Sequence, residues 1–253
     1  MGGLYSGRTV TVSMHAGAIH ITYHFAYGAE SREITVRVVL DGQTLEQDAP
    51  PPRNPLPEWT ALGVEQCSVC PLNTADHPKC PAAVSLVDLV DVFGEMLSYT
   101  EVTATVVTAE RTVTSKTTLQ RALSSLIGLR MATSGCPILA NFKPMARFHL
   151  PFASVQETLF RAAGAYLLAQ YYRRQHGDPS ELDLAGLREL YRQIHEVNHG
   201  LSQRIRTVSA GDANLNALVI LDMFAYHLPW SIDANLAEME HLFAPYLVDG
   251  TKP

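Results

Sequence analysis

The period of the apolar residues changes once along this chain, and that change limits the folds open to it. Ile19, Ile21, Tyr23, Phe25 and Tyr27 alternate with Ala18, His20, Thr22, His24 and Ala26. After a turn around Gly28 to Arg32, the alternation returns in Ile34, Val36, Val38 and Leu40. Neighbouring side chains of a strand point to opposite faces, so both segments read as strands with one apolar face. Joined by a short turn, they predict an antiparallel hairpin covered on one side. A second hairpin is predicted over 102–107 and 112–115. Helical spacing appears over 83–97 and again from Leu119 to Met131, ending at Ser134-Gly135.

From Pro151 onward the period is helical throughout. The predicted helices cover about 155–174, 184–208, 212–225 (capped by Asp212) and 232–247. Strands first and helices later imply an α+β fold. Residues 1–150 are expected to form a β-rich antiparallel half with a cysteine-bearing loop, and residues 151–253 a mostly helical half, either separate or one continuous domain with it. The run Ala49-Pro50-Pro51-Pro52-Arg53-Asn54-Pro55-Leu56-Pro57 should be extended and deliver the chain to the cysteines.

Composition narrows the class. A net charge of −6, from 19 basic and 25 acidic residues, opposes broad binding to a nucleic-acid backbone. The apolar run 162–169 is too short to span a bilayer, and no secretory signal opens the chain. The expectation is a soluble, cytoplasmic protein with no membrane partner, whose cysteines stay reduced. Gly2 with Ser6 fits a loose myristoylation pattern that is short enough to match by chance.

Four cysteines carry the chemistry. Cys67, Cys70 and Cys80 follow a C-x2-C-x9-C spacing, and Cys136 sits in Ser134-Gly135-Cys136-Pro137. A C-x2-C turn aims two thiolates and its backbone N–H groups at one point. Pro71, Pro81 and Pro137 stiffen the exits from the site. Four thiolates could hold a [4Fe–4S] cluster, or Zn²⁺, although paired C-x2-C knuckles are the usual zinc pattern and one is present. His77 could replace one cysteine. The remaining alternative is four reduced, buried thiols. A loop rich in Pro, Asn and Asp is a poor place to bury bare thiols, which favours a metal, with the cluster ahead of zinc. The expected role is regulatory, sensing or interaction with a protein partner. A cluster-assisted enzyme or a structural zinc module are the alternatives.

Cys67-Ser68-Val69-Cys70-Pro71-Leu72 resembles the opening cluster loop of the iron–sulfur uracil-DNA glycosylases. Six residues carry the likeness, and the glycine-rich catalytic motif of those enzymes is missing here. The resemblance therefore implies a cluster and none of the glycosylase chemistry. The same six residues also resemble an uncharacterised bacterial domain-of-unknown-function family. So do Ser134-Gly135-Cys136-Pro137, Met145-Ala146-Arg147-Phe148-His149-Leu150-Pro151-Phe152-Ala153 and Asn214-Leu215-Asn216-Ala217-Leu218-Val219-Ile220-Leu221-Asp222. That likeness implies no activity.

His195-Glu196-Val197-Asn198-His199 matches the H-E-x-x-H signature of zinc hydrolases, with Asp222 or Glu238 as a third ligand. The apolar stripe of that helix runs through Leu187, Leu190, Ile194, Val197, Leu201, Ile205 and Val208. His195 and His199 lie off it, beside Arg188, Arg192, Ser202 and Arg206, whose guanidinium groups oppose a dication. A polar helix face outweighs the hydrolase. Arg188, Arg192, His195, His199 and Arg206 could also form a cationic strip for a phosphate or an acidic partner. His20 and His24 share a strand face and are expected to be solvated. His149 is expected to make a local hydrogen bond or to support the metal site from behind its ligands. No glycine-rich phosphate loop and no G-x-S-x-G elbow is present.

Overall fold

The computed structural model describes residues 17–30, 32–47 and 55–247, so Gly2, Ser6 and most of the proline connector lie outside it. Strands β1 (Ile19–Tyr27) and β2 (Arg32–Leu40) pair antiparallel, with Ile19 opposite Leu40 and Tyr27 opposite Arg32. β3 (Glu101–Val107) and β4 (Thr112–Thr118) form the second hairpin. β1 also pairs antiparallel with β3, which gives one sheet in the order β2-β1-β3-β4. Alternation sorts the faces as expected. Ile21, Tyr23, Phe25, Val36, Val38, Leu40, Val102, Ala104 and Val106 are buried on one. On the other, His24 Nδ1 lies 2.6 Å from Glu33 Oε1 and the Thr105 and Thr114 hydroxyls meet at 3.0 Å. His20 is exposed, whereas His24 is ion-paired and holds the Glu33 carboxyl below its ordinary range.

The predicted helix over 83–97 is two short ones, α1 (Pro81–Val84) and α2 (Val87–Phe93). At the break, the Ser85 hydroxyl donates back to Ala82 O at 2.8 Å. The buried Arg130 then donates its Nε–H to Ser85 O at 3.1 Å and pairs with Asp88. Arg130 belongs to α3 (Leu119–Ala132), whose Leu119, Leu123, Leu126 and Ile127 are buried in the core. A 3₁₀ turn at Leu139–Phe142 and the short α4 (Lys143–Arg147) follow, where no element was predicted. α5 (Val155–Gln175) opens with a capping box. Ser154 Oγ accepts from Glu157 N at 3.2 Å, and Glu157 Oε2 accepts from Ser154 N at 2.7 Å. α6 spans Ala185–Arg206.

Residues 212–225 and 232–247 were expected to form separate helices. Instead α7 (Ala213–Ala237) runs unbroken through Pro229, and among the described residues only the 3₁₀ turn Glu240–Phe243 and α8 (Ala244–Leu247) lie beyond it. Proline removes one helical donor. The Ala225, Leu228 and Ile232 side chains on either side are buried and hold the turns together, and Ser231 Oγ donates to His227 O at 3.1 Å. Asp212 stands at the N-cap position. Its carboxylate accepts from Ser98 N and Oγ at 2.7 and 3.0 Å, and from Asn216 Nδ2 at 2.9 Å. α7 is long and apolar enough to cross a membrane by length and composition, with a mean hydropathy of 1.2 over its most apolar window. One buried cluster joins the inner face of the sheet to α3, α6 and α7.

His149 makes a long-range bond rather than a local one, and its partner is not a cysteine. Its Nε2 meets the Tyr23 hydroxyl of β1, which also lies 3.0 Å from Ser125 Oγ of α3. Burial, then the nearby Arg161 charge, pulls the imidazole from 6.5 down to about 3. The unfolded chain therefore binds the extra proton first. His149 contributes its full stabilisation above pH 6.5 and loses it as pH falls towards 3, with a slope of up to about 1.4 kcal/mol per pH unit. Urea unfolding at pH 7 and pH 5 should show this loss, and His149→Gln should remove much of the difference between the two.

Candidate metal centre

The cysteine loop is built before any ligand is considered. Its two ends are zipped together: Leu62 N donates to Pro78 O at 3.0 Å and Cys80 N to Thr60 O at 2.8 Å. Within it, Cys70 N donates to Cys67 O at 3.0 Å, which closes the C-x2-C turn and holds both side chains on one side. Asn73 Oδ1 accepts from Ala75 N and Asp76 N, shaping the tip where His77 stays exposed. Cys80 occupies the N-cap position of α1, with Pro81 at the first helical position.

Cys136 arrives from the end of α3. Gly135 adopts φ +86°, a conformation open to glycine, and turns the chain so that Cys136 is buried. A side chain at Gly135 would come within 3.9 Å of Pro81, so the two cysteine-bearing corners are packed against each other. The N–H groups of Leu139 and Ile138 point at the Cys136 sulfur and favour its thiolate, although burial raises its pKa overall.

The four thiols sense one another. The Cys67 thiol is pushed up to about 12, first by burial and then by Cys70, Cys136 and Cys80. None is in a disulfide. Among the described residues, however, no three His, Cys, Asp or Glu side chains are drawn together closely enough to hold a metal ion. The thiols are near neighbours without being a closed cage.

One row of α6 holds this loop in place. Glu196 Oε2 accepts from Ser68 Oγ at 2.7 Å. One turn on, a Cβ at Gly200 would lie 2.9 Å from Glu65 O and 3.5 Å from Cys67 Cβ, so only glycine lets the loop approach. A further turn on is Arg204, 2% exposed. Its guanidinium donates to Trp59 O at 2.8 Å, Ala61 O at 2.7 Å and Leu62 O at 3.0 Å. All three acceptors are carbonyls and none is a carboxylate. Burial lowers the Arg204 pKa, while Cys80, Cys67, Cys70 and the Glu65 carboxylate support its charge. Arg204 and Gly200 were missed in the sequence. The signal was there, because Arg204 falls on the apolar stripe between Leu201 and Ile205, where a charge needs buried partners.

The H-E-x-x-H residues point to separate partners. His195 Nδ1 lies 2.7 Å from Asp222 Oδ1 on α7, Glu196 is taken by Ser68, and His199 Nε2 meets Gln203 Nε2 at 3.3 Å. Glu238 caps the far end of α7, roughly 24 Å beyond Asp222 at 1.5 Å per residue. The cationic strip is partnered as well: Arg188 with Asp233, Arg192 with Glu189 at 3.0 Å, and Arg206 with Gln203 at 3.4 Å.

Crowding at Gly200 makes a direct test of this row. Gly200→Ala should destabilise the chain by about 1–3 kcal/mol through overpacking. Gly164→Ala on α5, where no atom lies within 4 Å of the added Cβ, should stabilise it by about 0.5–1 kcal/mol. Urea unfolding of the two variants side by side measures both.

No curated protein and no solved structure matches the chain. A family model does match, over residues 21–244, a span that takes in all four cysteines and the α6 row. The chain belongs to the family described as a domain of unknown function, DUF6901.

Proposed function

We propose that this protein carries a [4Fe–4S] cluster on Cys67, Cys70, Cys80 and Cys136, and that cluster occupancy serves a sensing or regulatory role. The observation that carries the reading is Arg204. It is a buried cation with only carbonyl acceptors, set beside the thiols of Cys80, Cys67 and Cys70. A buried charge is costly unless anions balance it; Glu65 supplies one nearby negative charge, and a cluster ligated by four thiolates would bring more to that spot.

The sequence puts the cluster ahead of zinc, because paired C-x2-C knuckles are the usual zinc pattern and one is present. When bound, such a cluster supplies a one-electron couple and bonds that oxidants can break. The chain's own residues do the rest. Arg204 offsets charge, the N–H groups of Ile138 and Leu139 donate to the Cys136 sulfur, and α6 fixes the loop. Cys67, Cys70 and Cys80 are only half-buried, which leaves one side of the site open to small oxidants.

Protein purified without oxygen should be brown, with iron and acid-labile sulfide in equal amounts. Replacing any one of the four cysteines by Ala should strip most of that iron while His195→Ala and His199→Ala retain it. One zinc per colourless chain would turn the site into a structural brace. Folded protein with neither metal would sink the proposal.

A further inference from the structure

Two of the four thiols are held as a pair by the backbone itself. Cys70 N donates to Cys67 O at 3.0 Å, with Ser68 and Val69 as the central residues of the turn. A turn closed in this way keeps its end Cα atoms within about 7 Å, and a disulfide needs roughly 4.4–6.8 Å between the same atoms. The turn is anchored from outside as well. Ser68 Oγ donates to Glu196 Oε2 at 2.7 Å, and Val69 packs against the buried core. Both cysteines are free and half-buried, so a small reagent can reach them. The contact of the Cys70 thiol with Leu72 O is long, at 4.0 Å, and leaves that sulfur free to turn. The other two thiols differ. Cys136 is buried, and the N–H groups of Ile138 and Leu139 hold its sulfur. Cys80 opens α1, and among the described residues no backbone hydrogen bond joins it to Cys136.

We infer that Cys67 and Cys70 form a thiol–disulfide couple that regulates the site: in the cluster-free chain they close to a disulfide, and the chain then stays unloaded until that bond is reduced. The lock on loading presupposes the cluster proposed above; the disulfide itself does not. The oxidant is a low-molecular-weight disulfide of the glutathione class. One thiolate of the pair attacks a sulfur of this reagent, which forms a mixed disulfide and releases one glutathione thiolate. The other thiolate attacks the protein-bound sulfur, which forms the Cys67–Cys70 bond and releases the second glutathione. Two protein thiols have then lost two electrons and two protons, and one glutathione disulfide has become two glutathione thiols. The reverse exchange restores the pair. While the two sulfurs are bonded to each other, half of the ligand set is missing. The same turn therefore gives the cluster-free chain a state ready for loading and a state closed to it.

The full chain, stripped of metal under reductant and equilibrated with rising ratios of oxidised to reduced glutathione, tests the couple. Thiols counted in denaturant should fall from four per chain to two, and peptide mapping should find Cys67 bonded to Cys70. Cys80→Ser and Cys136→Ser should each fall from three thiols to one, whereas Cys70→Ser should form no internal bond. Circular dichroism checks that the variants stay folded, and the wild-type map stands without them. Four thiols at every ratio, glutathione adducts with no internal bond, or a wild-type bond to Cys80 or Cys136 would each overturn the inference. Cobalt(II), which reports thiolate ligation by its absorption, should bind the reduced chain at least about tenfold more tightly than the oxidised one. Equal affinity, or none in either form, would overturn the lock. Protein that is brown when purified without oxygen but fails the thiol count keeps its cluster and loses the couple. Colourless protein that passes the count keeps the couple and loses the cluster.

Discussion

The three hydrogen bonds from the Arg204 guanidinium to Trp59 O, Ala61 O and Leu62 O hold the cysteine segment against the helical half. The segment around Trp59 to Leu62 lies between a proline-rich connector and an irregular loop, so its carbonyls have few regular partners. Arginine suits this place because its planar fork presents several donors in fixed directions and keeps its charge when buried. The position is fixed from the helix side, since Arg204 shares a row with Gly200 and Glu196 and the whole row meets the same loop. Remove the guanidinium, and the carbonyls of Trp59 and Leu62 lose their donor together, while Ala61 O keeps Val64 N.

How much of this could be read in the sequence depends on the range of the forces involved. The strands were legible because alternation is local: Tyr23 and Phe25 face inward whatever lies against them. The helices of the second half were legible for the same reason. Their interruptions were not. Pro229 looks like a boundary by propensity, but burial on both sides of it outweighs one lost donor. The stretch 83–97 looks continuous by its period, but Arg130 reaches Ser85 from more than forty residues away. Tertiary contacts decide both cases, and no local window contains them.

The candidate site shows the same division. Spacing alone singled out Cys67, Cys70, Cys80 and Cys136, because a C-x2-C turn is a local device. That Cys136 comes near the others depends on Gly135 reversing the chain beside Pro81. The H-E-x-x-H match was already outweighed by the polar helix face around it, and the structure gives its glutamate another partner. Glu196 does matter, but as the acceptor for Ser68 on the row that carries Gly200 and Arg204. The relevant pattern on α6 is a glutamate, a glycine and an arginine at successive turns, which no catalytic signature describes.

The zipped ends of the loop bear on what a metal could control. In a small zinc finger the apo chain is unfolded, so metal binding and folding are one event. Here the backbone bonds between Thr60 and Cys80 and between Leu62 and Pro78, together with Arg204, shape the loop from protein contacts alone. The inner faces of the sheet, α3 and α7 meet in a core that the thiols border without dominating. Gain or loss of a metal would then act locally, on the half-buried cysteine turn and the face of α6 beneath it, and leave the fold standing. Such a site would suit the proposed sensing role better than a staple, because its state would change without the chain having to refold.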